Sequence, residues 1–171
     1  DDDNGGEKVY MSILNRANHY VHIMSPYLIL DDELLMALKY AAERSIDVKL
    51  ILPGIPDKKM VYSLAKRYFR TLLSSGVKIY LYTPGFVHAK VFVSDDVKAV
   101  VGTINLDYRS LYHHFECATY MYGTDCIADI EDDFTKTLES CHRVTTEDIN
   151  HEKFLVRLTG GLARLVAPLL R

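Results

Sequence analysis

Apolar positions along the chain recur at two periods. Residues 9–17 space them as a helix does and residues 20–24 as a strand does, after which Asp31, Asp32 and Glu33 open a second helix where its dipole favours acids. Leu34, Leu35, Leu38 and Ala42 form the buried side of that helix. A strand over 47–52 closes at Pro53-Gly54, and a long helix over 57–75 carries Val61, Leu64, Ala65, Phe69, Leu72 and Leu73 between basic residues. Strands are expected at 77–82, from Val87 to Val93, at 99–101 and at 115–121. A helix over 125–140 turns Ile127, Ile130, Phe134 and Leu138 inward. Strands alternating with helices and ending in hairpins predict an α/β sandwich, a mixed central sheet flanked by helices on both faces.

Composition adds limits. The chain has 171 residues, 49% hydrophobic and 25% charged, enough for one domain with a real core and unlike a disordered segment. Residues 1–6 are acidic and glycine-containing and read as a linker or cut end. A net charge of −3 makes no electrostatic case for bulk nucleic-acid binding. The cations of the long helix, Lys58, Lys59, Lys66, Arg67 and Arg70, read mainly as a solvated face, with one or two able to face phosphate. Cys117, Cys126 and Cys141 have neither disulfide nor zinc spacing. His19 and His22, three apart, do not align on a strand, and neighbouring His113 and His114 diverge, so packing, rim or surface roles replace metal binding. No apolar run is long enough to span a bilayer. Residues 154–171 form an amphipathic segment with Arg157, Arg164 and Arg171, read equally as a helix capping the domain or as an interfacial helix on anionic lipid.

The candidate chemistry lies inside the strand that starts at Val87. Two apart, His88 and Lys90 point to one side, and an ammonium beside an imidazole suits an anion, phosphate above all. Gly102 is expected to turn the backbone tightly and deliver Thr103 and Asn105 as short polar donors toward phosphoryl oxygens. Asp95, seven positions past His88, reads as a brace for the turn that ends the strand. Glu116, on the far strand, faces opposite to Cys117 and toward the site, where the His88 imidazole would partner a buried carboxylate.

These residues resemble a known signature. His88, Lys90, Asp95, Gly102, Thr103 and Asn105 fit the pattern H-x-K-x4-D-x6-G-[S/T]-x-N of the phospholipase D superfamily. His151-Glu152-Lys153 does not, because Leu158 stands where the aspartate belongs, and it reads as a solvated helix start. Ser25-Pro26-Tyr27 ahead of Asp31-Asp32, the run from Gly85 to Lys90, Asn105 to Ser110, Phe115-Glu116 and the ending from Ala163 to Leu170 resemble the C-terminal half of bacterial cardiolipin synthases.

The resemblance implies a phospholipase D-like domain over 7–153 and a phosphatidyltransferase that makes cardiolipin and glycerol from two phosphatidylglycerols through a phosphohistidine. It places His88, Lys90, Asp95, Asn105 and Glu116 in the catalytic set, with Glu116 orienting His88, and Thr103, Gly102 and Tyr27 in substrate binding. Neither cofactor nor metal is implied, since lysines neutralise the phosphate. In the family two motifs meet at one site, and this chain carries one. The expected partners are therefore an N-terminal half with the other motif, anionic phospholipid, and a membrane surface touched by the C-terminal helix, at the cytoplasmic face of a membrane-anchored parent. The alternative is a single-motif phosphodiesterase or nuclease that completes its site as a homodimer.

Overall fold

The computed structural model describes residues 5–112 and 115–150. Helix α1 (Gly5–Arg16) leads into strand β1 (Tyr20–Met24), followed by α2 (Asp32–Glu43), β2 (Asp47–Pro53), α3 (Lys59–Ser74) and β3 (Lys78–Tyr82). The hairpin β4 (Val91–Ser94) and β5 (Lys98–Gly102) comes next, then the short α4 (Tyr108–Tyr112) and β6 (Ala118–Tyr122). The described chain closes with α5 (Cys126–Leu138), β7 (Cys141–Arg143) and α6 (Thr146–Asn150). The helix α1 begins inside the stretch expected to be linker.

All seven strands form one sheet in the order β6-β5-β4-β1-β2-β3-β7. The β1–β2 and β2–β3 pairs are parallel, and every other pair is antiparallel, so the sheet is mixed as expected. Alternation along each strand sends side chains to two faces. Val21 and Ile23 of β1, Val48 and Leu50 of β2 and Ile79 of β3 join Tyr10 and Leu14 of α1, Leu34 and Leu38 of α2 and Phe69 and Leu72 of α3 in the larger core. On the opposite face Met24, Ile51 and Val91 meet Phe134 of α5, and Val93 and Ala99 meet Ile127. Each buried Val, Leu, Ile, Phe or Met among them contributes about 1.5–3 kcal/mol.

The buried His22 belongs to this second layer. Its ring stacks on Phe134 at 4.7 Å and on Tyr20 at 4.4 Å, and its Nδ1 lies 2.8 Å from a Glu131 carboxylate oxygen on α5. The expectation of a packing role thus holds for His22, while His19 is exposed. His113, His114 and residues 151–171, including the C-terminal amphipathic segment, lie outside the described residues. Among the described residues no helix is long and apolar enough to cross a membrane.

Candidate active site

The strand expected from Val87 to Val93 starts only at Val91. Its partner β1 ends at Met24, which pairs with Val91, and the chain then departs through Ser25-Pro26, so the β1–β4 ladder does not extend to residues 87–90. On the other side the ladder runs one step further, with the Gly102 N–H donating to the Lys90 carbonyl at 3.3 Å. His88 and Lys90 therefore sit on irregular chain just past the edge where parallel β1 and β2 end.

They converge all the same, although not through the strand alternation expected for them. The Lys90 Nζ lies 3.0 Å from both ring nitrogens of His88 and donates to the His88 carbonyl at 2.6 Å. His88 is exposed, whereas Lys90 is 8% exposed. Burial pushes the Lys90 ammonium below its usual pKa, and the nearby carboxylates of Glu116 and Asp107 counter that push. With Gly102, Thr103 and Asn105 these side chains line an open groove of about 430 Å³.

Gly102 serves a different need from the one expected. Its backbone is not left-handed; among the described residues the glycines with positive φ are Gly76 and Gly123. A methyl group on Gly102 would instead lie 2.4 Å from the Cys117 carbonyl oxygen and 2.5 Å from Ala118 Cα. The glycine lets β5 and the chain entering β6 approach closely, and that approach builds the next contacts. The Thr103 N–H donates to the Cys117 carbonyl at 2.9 Å, the Cys117 N–H donates to Thr103 Oγ1 at 3.0 Å, and the Thr103 hydroxyl donates to the Glu116 carboxylate. Glu116 and Cys117 precede β6, which begins at Ala118, so Glu116 is aimed by these bonds and not by strand alternation.

Groups that the sequence reading left without a role hold the loop after Gly102 in place. Tyr10, stacked on Phe92 at 3.9 Å, donates its hydroxyl to the Ile104 carbonyl at 3.1 Å. The Ser25 hydroxyl donates to the Tyr27 carbonyl at 2.8 Å and accepts the Leu106 N–H at 3.2 Å, stapling the loop after β1 to the loop after β5. Asp107 accepts the Ser110 N–H at 2.8 Å and starts α4, and Asn105 Nδ2 donates to Ser110 Oγ at 3.0 Å. The Asp-x-x-Ser spacing was a legible capping signal.

Asp95 lies at the other end of β4 from His88. Its carboxylate accepts the backbone N–H groups of Asn18, His19 and Tyr20 at 2.8–2.9 Å. Burial alone would raise its pKa, yet those three donors hold the carboxyl below the usual carboxylate range. Asp95 and Asp96 both have positive φ, 56° and 55°, in the tight turn between β4 and β5.

Tyr27 approaches His88 through an aromatic neighbour. The Phe86 ring bridges them, 5.8 Å from His88 and 6.4 Å from Tyr27. The Tyr27 hydroxyl donates to Asp57 at 2.7 Å, and burial with that carboxylate pushes its pKa up to about 12. Among the described residues the carboxylates grouped closely enough to share a cation are those of Glu7, Asp31 and Glu33, within 4.8 Å at the α1–α2 contact. They serve the fold: Asp31 caps α2 through the Leu34 N–H at 2.7 Å and accepts the Tyr112 hydroxyl at 2.7 Å.

The mixed sheet with its groove is that of a phospholipase D-like domain. Residues 10–138 match the family model described as "Cardiolipin synthase, PLD-like domain", and the chain belongs to that family. It is 66% identical over 165 residues to an uncharacterised protein of Streptococcus mutans and 40% identical over 161 residues to a cardiolipin synthase of Clostridium perfringens, matches that cover 96% and 94% of this chain. The chain spans about a third of the length of these relatives, 36% and 34%. Its fold is similar to that of Nuc, a phospholipase D family member from Salmonella typhimurium, with a TM-score of 0.71, 17% identity and coverage of 82% of this chain and 91% of that one.

Proposed function

We propose that this domain supplies one half of the active site of a phosphatidyltransferase that joins two phosphatidylglycerols into cardiolipin and releases glycerol. The observation that carries the reading is the convergence of His88 and Lys90, within 3.0 Å, on a groove that also presents Thr103 and Asn105. A histidine of the other half attacks the donor phosphorus and forms a phosphohistidine, while His88 gives its proton to the departing glycerol oxygen. The glycerol hydroxyl of the acceptor lipid then attacks that phosphorus, losing its proton to His88, and the P–N bond breaks. Lys90 and Asn105 bind the phosphoryl oxygens, Thr103 supports them and Glu116 fixes the His88 tautomer. Asp95 acts through the turn it braces, and no cofactor enters. The reaction takes place at a membrane, at its cytoplasmic face in a membrane-anchored parent.

The test reunites the chain with the half that carries the other motif. Transfer between phosphatidylglycerols is expected to appear, and His88→Ala to remove it; robust transfer in the His88→Ala protein would overturn the assignment. A second reading, a phosphodiesterase completed by two copies of this chain, draws support from the exposure of His88, which leaves the imidazole open to an identical partner.

A further inference from the structure

Beside the His88 groove lies a second hollow of about 360 Å³, between the N-terminal half of α3 and the start of α4. The two share Asn105 in their linings. Ile29, Val61 and Leu64 make one wall apolar, and Leu64 is buried to 3% exposure. Exposed Lys58 and Arg109 also line it, and Lys58 lies over the Tyr27 ring at 5.9 Å. The acid in the lining is Asp107, one of whose carboxylate oxygens accepts the Ser110 N–H. The lining itself thus carries two cations and one acid, with Asp57 behind it on the Tyr27 hydroxyl.

Each part of the lining has a chemical match. Cations suit a phosphodiester that is held but not cut. A carboxylate with spare lone pairs accepts hydroxyl protons, and the apolar wall suits the acyl-glycerol body of a lipid. Transfer between two anionic lipids needs a seat for the second one, with its hydroxyl delivered to the phosphorus at His88. We propose that the hollow between α3 and α4 is that seat. It holds a polyol-headed anionic phospholipid with its phosphate between Lys58 and Arg109, its headgroup hydroxyls toward Asp107 and Asn105, and its apolar part on Ile29, Val61 and Leu64. This inference rests on the transferase reading above.

The experiment uses the uniformly 13C,15N-labelled chain, read at side-chain methyls and backbone amides, and dihexanoylphosphatidylglycerol kept monomeric below its micelle concentration. Saturable shifts of the Ile29, Val61 and Leu64 methyl resonances are expected. The double substitution Lys58→Glu and Arg109→Glu, both on exposed side chains outside the reacting set, is expected to weaken the affinity at least tenfold. Lys39→Glu on α2 is expected to change it less than twofold. Dihexanoylphosphatidylcholine, which is zwitterionic and has no headgroup hydroxyls, is expected to leave the three methyls in place. Shifts at His88 and Lys90 with none at the three methyls would overturn this inference and leave the phosphodiester reading standing, and equal binding of the choline lipid would overturn the polyol assignment. A titration that moves neither set would remove both readings together.

Discussion

At the scale of single residues, the candidate chemical groups stand apart from the support for the fold. His88 and Lys90 sit where a strand pair has run out, and Asp95 sits at the far end of β4, gathering three N–H groups of the α1–β1 connection. Hydrogen bonds to a charged acceptor stabilise by about 1.5–3 kcal/mol, less where solvent competes. Asp95→Asn is therefore expected to cost about 1–3 kcal/mol in urea unfolding while the His88 groove keeps its shape. The pH dependence has a defined sign. Because the folded carboxyl titrates below its usual value of 3.8, the Asp95 contribution is present above that value and lost as the pH falls through the folded pKa. Stability curves of the native chain and of Asp95→Asn are expected to converge in acid and to separate toward neutrality. A constant gap across that range would contradict the role.

At the scale of elements, Gly102 joins two functions in one position. It ends β5, and its missing side chain admits the Cys117 carbonyl, from which the Thr103–Glu116 pair is built. Gly102→Ala puts a methyl group against backbone, which must shift for it. The expected result is a loss of about 1–3 kcal/mol, an overpacking cost, with the largest loss of amide-exchange protection in β6. Full protection of Ala118–Tyr122 in that variant would mean the contact is slack.

The elements legible in the sequence were those with a buried face to repeat. Val21, Ile23, Val48 and Leu50 alternate, and Leu64, Phe69 and Leu72 recur at helical spacing, because one side of each element meets the core. Three features had no such signal. β7 spans only Cys141–Arg143 and is a strand because it pairs with Tyr80, Leu81 and Tyr82. α4 is one turn of helix begun by Asp107. The start of β4 depends on where β1 ends, 67 residues earlier by Met24 and Val91. The site was legible as a set of residues, because His88, Lys90, Thr103 and Asn105 stand at fixed spacings. Its scaffold was not, because Ser25 and Tyr10 reach the loop at 103–106 only through the folded sheet.

At the scale of the whole molecule, the question is how many imidazoles one site receives. A double displacement with transfer needs a nucleophile and a proton donor, and the groove at His88 offers one exposed imidazole with Lys90 folded against it. The edge strand β6 also exposes aromatic rings: Tyr120 and Tyr122, on one face of it, are 50% and 65% exposed, and Phe115 just before it is 108% exposed. Exposed rings on an edge strand suit contact with a partner chain. Two occupants compete, the half with the other motif and a second copy of this chain. Sedimentation and phosphodiesterase assays across one concentration series separate them. If the missing half is the partner, turnover of bis(p-nitrophenyl) phosphate per chain stays at background whatever the concentration, and adding the other half raises it. If a second copy is the partner, turnover rises with the dimer fraction, and mixing in His88→Ala chains lowers it more steeply than dilution, because each mixed dimer has one imidazole where two are needed. The transferase reading requires the first pattern, and activity that tracks the dimer of this chain alone would replace it with the phosphodiesterase.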